Sequence, residues 1–156
     1  MLAIVQRLSE GRVTVEGEVV ASCEGPGLLV LLGVTHGDTA EDAALLADKI
    51  ARLRIFSDEN DKMNLSVLDV GGGIIVVSQF TLYASCRRGN RPDYLNAAPP
   101  EVAEPLYEEF TEHLKKHTDY VSHGRFGAHM MVSITNDGPV TIPLDSKVLK
   151  QPKNAK

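Results

Sequence analysis

Apolar and polar positions in this chain repeat with two periods, one near two residues and one near 3.6. Residues 2–7 and 12–21 read as two strands. In the second, Val13, Val15, Val19 and Ala21 share a face, with Glu16-Gly17-Glu18 as the turn region. Leu28–Val34 is an unbroken apolar run of strand length, the pattern of a strand buried on both faces. The period then lengthens. Thr39-Ala40-Glu41-Asp42 has the form of a capping box, and Ala43, Leu46, Ile50 and Leu53 follow at helical spacing. Arg54-Ile55-Phe56 leads into a polar loop, Ser57–Asn64. Gly71-Gly72-Gly73 breaks the chain before a strand over Ile74–Tyr83. Ser85–Pro100 is loop-like. A second helix is expected with Pro105 at its first position, Glu104 on its flank, and Leu106, Phe110 and Leu114 on its buried face. Ala128–Thr135 and Val140–Leu144 read as two final strands, the last at an edge because Pro143 interrupts it.

The order ββ, βα, β, α, ββ predicts an α+β fold. Twisted, largely antiparallel sheets would close toward a barrel-like core, with two helices packed outside. At 156 residues the chain fits a single core. Residues 1–146 form the expected domain. Residues 147–156, with Lys147, Lys150, Lys153 and Lys156, form an expected mobile basic tail.

Composition narrows the functional classes. The apolar runs are too short to cross a bilayer. The first residues read as a strand rather than as a signal peptide. Cys23 and Cys86 have no CxxC spacing and no disulfide framework, which suits a reduced, cytoplasmic setting. A net charge of -5 argues against a general nucleic-acid coat protein, yet leaves room for a local basic patch.

Two segments carry the candidate chemistry: Ser78-Gln79-Phe80-Thr81-Leu82-Tyr83-Ala84 and Asn136-Asp137-Gly138-Pro139-Val140-Thr141. In the first, Val77, Gln79, Thr81 and Tyr83 would share one strand face. The structural reading is a core strand whose hydroxyls bond nearby backbone. The functional reading is a strand end whose free N–H groups and hydroxyls face a ligand. In the second, Asn, Asp and Thr flank a Gly-Pro turn and offer side chains that stabilise it. Arg87, Arg88 and Arg91 follow the first segment directly. Arginine forks suit phosphate oxygens, and the alternative is a solvated loop paired with surplus acids. His113 and His117 are spaced i, i+4, but no HExxH pattern and no third ligand accompanies them. Arg87 and Arg88 flank Cys86 without a placed histidine partner. Gly71-Gly72-Gly73 lacks the Lys-Ser/Thr of a phosphate loop. No metal and no cofactor is expected.

Together these segments resemble the D-aminoacyl-tRNA deacylase family of the bacterial and eukaryotic type. Ser78–Ala84 is similar to its SQFTLYA motif and 136–141 to its NxGPVT motif. Further similarity reaches Ser146 through Gln6-Arg7, Gly25-Pro26-Gly27-Leu28, Lys62-Met63-Asn64, Arg91-Pro92 and Gly124-Arg125-Phe126-Gly127-Ala128. The resemblance implies a homodimer with active sites at its interface and an aminoacyl ester of tRNA as substrate. It implies that Ser78, Gln79, Phe80 and Thr81 line the pocket. It also implies that Gly138-Pro139 is cis and inserts into the partner's site, that Arg7 orients that loop, and that Phe126 and Met130 hold the adenine. The segment 85–90 departs from the family pattern, so the phosphate contacts expected at Arg87, Arg88 and Arg91 rest on the arginines themselves more than on the resemblance.

The implied chemistry is ester hydrolysis. Orientation and an oxyanion site at the Phe80 and Thr81 N–H groups would suffice, because an ester is already activated. The Thr81 hydroxyl is the only nucleophile at the strand end and has no base beside it in sequence. The family reading has the ribose 2′-hydroxyl help activate water. A rigid Gly-Pro wedge would exclude L side chains, admit D side chains and admit glycine. A non-catalytic module that binds tRNA ends and a metal hydrolase using His113 and His117 are the alternatives.

Overall fold

The computed structural model describes residues 1–154; the expected tail residue Lys156 lies outside them. Eight strands and three helices follow in the order β1 Leu2–Val15, β2 Glu18–Cys23, β3 Gly27–Gly33, α1 Ala40–Ala51, β4 Phe56–Ser57, β5 Met63–Leu65, β6 Gly73–Ser78, a one-turn 3₁₀ helix Phe80–Tyr83, α2 Pro100–Lys115, β7 Val121–His123, β8 Met131–Asp145 and α3 Ser146–Leu149. The main sheet runs β2-β1-β3-β6-β7, with β8 laid along the other side of β1. β1 pairs antiparallel with β2, β3 and β8, whereas β3–β6 and β6–β7 are parallel. The result is the expected α+β architecture, a nearly closed, barrel-like sheet with α1 and α2 outside.

The alternating side chains of the strands serve two cores. Leu28, Val30 and Leu32 of β3, with Ile74 and Val76 of β6, face the helices and meet Leu46, Ile50, Phe110 and Leu114. Leu29 of β3 and Ile75 and Val77 of β6 point the other way, into the barrel with Leu8, Val13 and Ala21. The unbroken apolar run of β3 is therefore buried on both faces, as its composition requires. β1 changes sides. Ala3 and Val5 belong to the helix-facing core, while Leu8 and Val13 belong to the barrel. Ala3, Val5 and Leu8 follow ordinary alternation, so the change of face falls between Leu8 and Val13, where the β1–β8 register shifts a second time between Leu8 and Glu10.

α1 starts as its sequence dictates. The Asp42 carboxylate accepts the Thr39 N–H at 2.9 Å, and Ala43, Leu46 and Ile50 are fully buried. Several expectations are corrected. The first strand does not stop at residue 7 but runs to Val15, and the turn is Glu16-Gly17, both at positive φ. A bulge between Val13 and Thr14 opposite Val20 takes Val19 off the buried face, leaving it exposed. The polar loop 57–64 contains the β4–β5 ribbon. α2 begins at Pro100, five residues before Pro105. Pro100 supplies the first-position proline, and Pro105 sits one turn inside. Tyr107, not Leu106, is buried beside Phe110 and Leu114. The two final strands are one strand, β8, and Pro143 is tolerated because β8 pairs only with β1 among the described residues. The segment Ser146–Leu149 forms a helical turn, α3. Ser146 is buried, and Lys150 Nζ lies 3.0 Å from Asp42 Oδ1.

Candidate active site

The strand expected over residues 74–83 ends five residues early, and that difference creates the site. β6 stops at Ser78, and its last ladder bond runs from Gln79 N–H to the Leu32 carbonyl at 2.8 Å. The chain then coils into the turn Phe80–Tyr83, where Leu82 N–H bonds Gln79 O and Ala84 N–H bonds Thr81 O. The opening N–H groups of such a turn have no partner within it. Those of Phe80 and Thr81 find no acceptor elsewhere among the described residues. Gly33 makes room for the turn: a Cβ there would sit 3.1 Å from both the Gln79 carbonyl oxygen and Leu82 Cβ. The alternating faces expected for Gln79, Thr81 and Tyr83 therefore do not exist. Instead, Gln79 Nε2 donates to the Thr81 hydroxyl oxygen. An amide donor cannot take a proton from that hydroxyl, so Thr81 has a neighbour but no base.

Beside this turn lies an apolar cavity of about 380 Å³. Ser78, Gln79 and Phe80 line one side, and Phe126 and Gly127 another. Ala97, Ala98, Pro100 and Ala103 lead from the loop into α2, and Tyr94 and Tyr107 complete the aromatic walls. Tyr107 is fixed from below: its hydroxyl donates to the Val76 carbonyl at 2.9 Å, and burial pushes its phenol well above the usual range. Its ring lies 6.0 Å from Phe126. Phe80 meets Tyr94 edge to face, with centroids 4.9 Å apart. Small alanines between aromatic walls leave a slot suited to a flat, apolar group.

The second motif builds a different structure. Gln6 pairs with Thr141 and Leu8 with Asn136, so Arg7 alone stands opposite residues 137–140. These four residues bulge out of β8. Asn136 closes the bulge, its Oδ1 accepting Val140 N–H at 3.3 Å and its Nδ2 donating to Thr141 Oγ1 at 3.2 Å. Arg7 holds it from beneath, with Nε donating to the Asp137 carbonyl at 3.1 Å and Nη1 to the Ile55 carbonyl at 2.7 Å. The Gly138-Pro139 peptide is cis, and Gly138 has φ +127. Both residues are exposed, and neither lines the cavity of their own chain.

Other expected positions scatter. Met130 does not line the cavity; it packs on the barrel core, against Gly124. Arg87, Arg88 and Arg91 are all exposed on a loop whose ends are joined by paired Ser85–Asp93 backbone bonds of 2.9 Å. His113 and His117 are engaged with carboxylates, at 3.4 Å to Glu109 and 2.7 Å to Asp48. The pattern does not single out Tyr94, Ala97 and Ala98 within their loop, and it leaves out Ala103 because it places the start of α2 late. Pro99-Pro100 was the available signal for the earlier start.

Fold and site together define an α+β barrel domain with an aromatic cavity at the end of a parallel strand and a separate, arginine-held Gly-Pro bulge. The chain belongs to the D-Tyr-tRNA(Tyr) deacylase family, whose model matches residues 4–145. It is similar to the D-aminoacyl-tRNA deacylase of Clostridioides difficile (strain 630), 58% identical over 146 residues, which cover 94% of this chain and 97% of that one. The D-aminoacyl-tRNA deacylase of Chloroflexus aurantiacus is 56% identical over 155 residues, covering 99% of this chain and 96% of its own. A solved structure described as "c-Myc DNA Unwinding Element Binding Protein" superposes with a TM-score of 0.87 at 44% identity, covering 93% of this chain and 98% of that chain. A second, "Structural Analysis of a probable eukaryotic D-amino acid tRNA deacylase", has a TM-score of 0.77 at 16% identity, covers 92% of this chain and 97% of its own, and speaks to the fold alone.

Proposed function

We propose that this chain hydrolyses the ester bond of D-aminoacyl-tRNA, releasing free D-amino acid and tRNA. The observation that carries the reading is the cavity beside the free Phe80 and Thr81 N–H groups. The terminal adenine fits the aromatic slot, with Phe126 on its wall. The ester carbonyl then lies at the turn, where the two N–H groups stabilise the oxyanion that forms as water attacks. The acyl carbon–oxygen bond breaks, and the proton of water passes to the departing ribose oxygen. No protein nucleophile is required, because Thr81 has only the Gln79 amide beside it. The 2′-hydroxyl of the ribose is the group placed to assist the water.

Chiral selection resides in the bulge. A Gly138-Pro139 wedge lies outside its own chain's cavity, so it serves the cavity of a second copy in a homodimer. Arg7 sets the wedge, which blocks an L side chain and leaves a D side chain free. Glycine has no side chain to block, so glycyl-tRNA is also a substrate. Arg87, Arg88 and Arg91, exposed on one loop, contact tRNA phosphates. The setting is cytoplasmic, with residues 1–146 as the catalytic domain and the lysines beyond it as a basic appendage.

The direct test is release of free D-tyrosine from D-tyrosyl-tRNA by the purified chain. Binding without release would favour a module that only holds tRNA ends.

A further inference from the structure

Tyr94 is not accounted for by either motif, yet it joins two parts of the molecule. Its ring packs edge-on against Phe80, centroids 4.9 Å apart and planes at 70°, and both rings line the cavity. It directly follows Asp93, whose backbone is locked to Ser85 by two hydrogen bonds of 2.9 Å. On the far side, Ala97 N–H bonds the Tyr94 carbonyl at 3.0 Å, and Ala98 N–H bonds Val34 O. Tyr94 is therefore held at both ends by backbone bonds, and its ring is presented to Phe80 from the base of the loop that bears Arg87, Arg88 and Arg91.

Phe80 needs that support. It is 57% exposed and begins a turn of only four residues, so little else fixes its ring. Aromatic edge-to-face pairs prefer a definite geometry, and this one crosses from the arginine loop to the turn. The Tyr94 hydroxyl makes no hydrogen bond among the described residues, so the ring carries the contact.

We infer that Tyr94 is a positioning residue for the deacylation proposed above: it acts through Phe80, holding the Phe80–Tyr83 turn in register with the cavity. This rests on the reading of the cavity as the ester site. It predicts a split between the kinetic constants. Affinity for tRNA comes largely from phosphate contacts. Removing the ring should lower kcat roughly tenfold to a hundredfold through misplacement of the reacting group, with a smaller rise in KM because the ring also forms part of the cavity wall.

The experiment compares the full chain with Tyr94→Ala and Tyr94→Phe in two measurements. One is steady-state hydrolysis of D-tyrosyl-tRNA. The other is amide hydrogen exchange at Leu82 and Ala84, whose bonds to Gln79 O and Thr81 O report the turn itself. Tyr94 is 41% exposed, so truncation opens no buried void and the fold survives. The expected result is a fall in kcat and faster exchange at both amides for Tyr94→Ala, with Tyr94→Phe, which keeps the ring, lying much closer to the unaltered chain on both counts. Unchanged exchange in Tyr94→Ala would overturn the inference. So would a Tyr94→Phe variant as impaired as Tyr94→Ala, since the hydroxyl rather than the ring would then matter. If the unaltered chain releases no D-tyrosine, the deacylase reading fails, and the exchange comparison alone decides whether Tyr94 holds the turn.

Discussion

Arg7 reaches across a break in the β1–β8 ladder to Asp137, donating from Nε to its carbonyl at 3.1 Å while the guanidinium lies 3.6 Å from its carboxylate. The same side chain bonds the Ile55 carbonyl at 2.7 Å. One guanidinium thus fixes the Gly-Pro bulge to β1 and to the segment that leads into β4. If the bulge selects chirality, Arg7→Ala should relax that selection before it affects folding. Charge-assisted hydrogen bonds contribute about 1.5–3 kcal/mol each. The ratio of D- to L-tyrosyl-tRNA hydrolysis should fall roughly tenfold to a hundredfold. Parallel rate measurements check it, and an unchanged ratio would remove Arg7 from selection.

Gly138 has no substitute. At φ +127 any L side chain is strained, and a Cβ would lie 2.9 Å from Val140 Cγ2 and 3.0 Å from Arg7 Nη2. Gly138→Ala should displace the bulge and lower the same D/L ratio, with a thermal midpoint close to that of the unaltered chain because the site is exposed. A large loss of midpoint with selectivity intact would contradict the assignment.

The architecture was legible wherever periodicity was strong and local. β3 reads as buried on both faces, and the capping box of α1 is where the pattern puts it. The parallel pairings of β3 with β6 and β6 with β7 were not legible, because strand order is set by long-range packing. The site was half visible. Ser78 to Phe80 and Phe126 do meet in one cavity, but Phe80–Tyr83 has strand-like composition and its coil packs closely against Gly33, a long-range contact the pattern does not reveal. Pro105 misplaced the start of α2, concealing Ala103 and with it the floor of the cavity. Arg7 and the bulge were joined only by resemblance; the register break that places them opposite each other has no sequence signature.

Thr81 is predicted to be dispensable for bond cleavage. Its hydroxyl is bonded by the Gln79 amide and by no base. Thr81→Ala should keep kcat within roughly tenfold of the unaltered chain, below the loss expected for a nucleophile. Complete loss with an intact fold would restore a covalent route.

Tyr107 ties α2 to β6 through the bond to Val76 O. Tyr107→Phe removes one of two donors to that buried carbonyl, since Gly124 N–H also reaches it at 2.9 Å, and should cost about 1 kcal/mol, lowering the thermal midpoint by a few degrees. An unchanged midpoint would mean that the bond contributes nothing.

Asp42 predicts how stability depends on acid. Burial opposes its charge, but hydrogen bonds from Ser146, Thr39 and Lys150 outweigh burial and hold its carboxyl well below the usual 3.8. A depressed folded-state value contributes stability that is fully present above the unfolded value and lost as pH falls toward the folded one. Asp42→Asn should therefore be less stable than the unaltered chain at pH 7, and the gap should narrow below about pH 4. Urea melts at several pH values test this; a constant gap would point to packing instead of charge.

The activity proposed is that of a chiral ester hydrolase that acts without a protein nucleophile or a metal. The decisive measurement is hydrolysis of D-tyrosyl-tRNA and L-tyrosyl-tRNA side by side, in the presence of EDTA. Rapid release of D-tyrosine with the L ester left intact is the predicted result. Equal hydrolysis of both esters, or loss of D-specific activity on chelation, would contradict it.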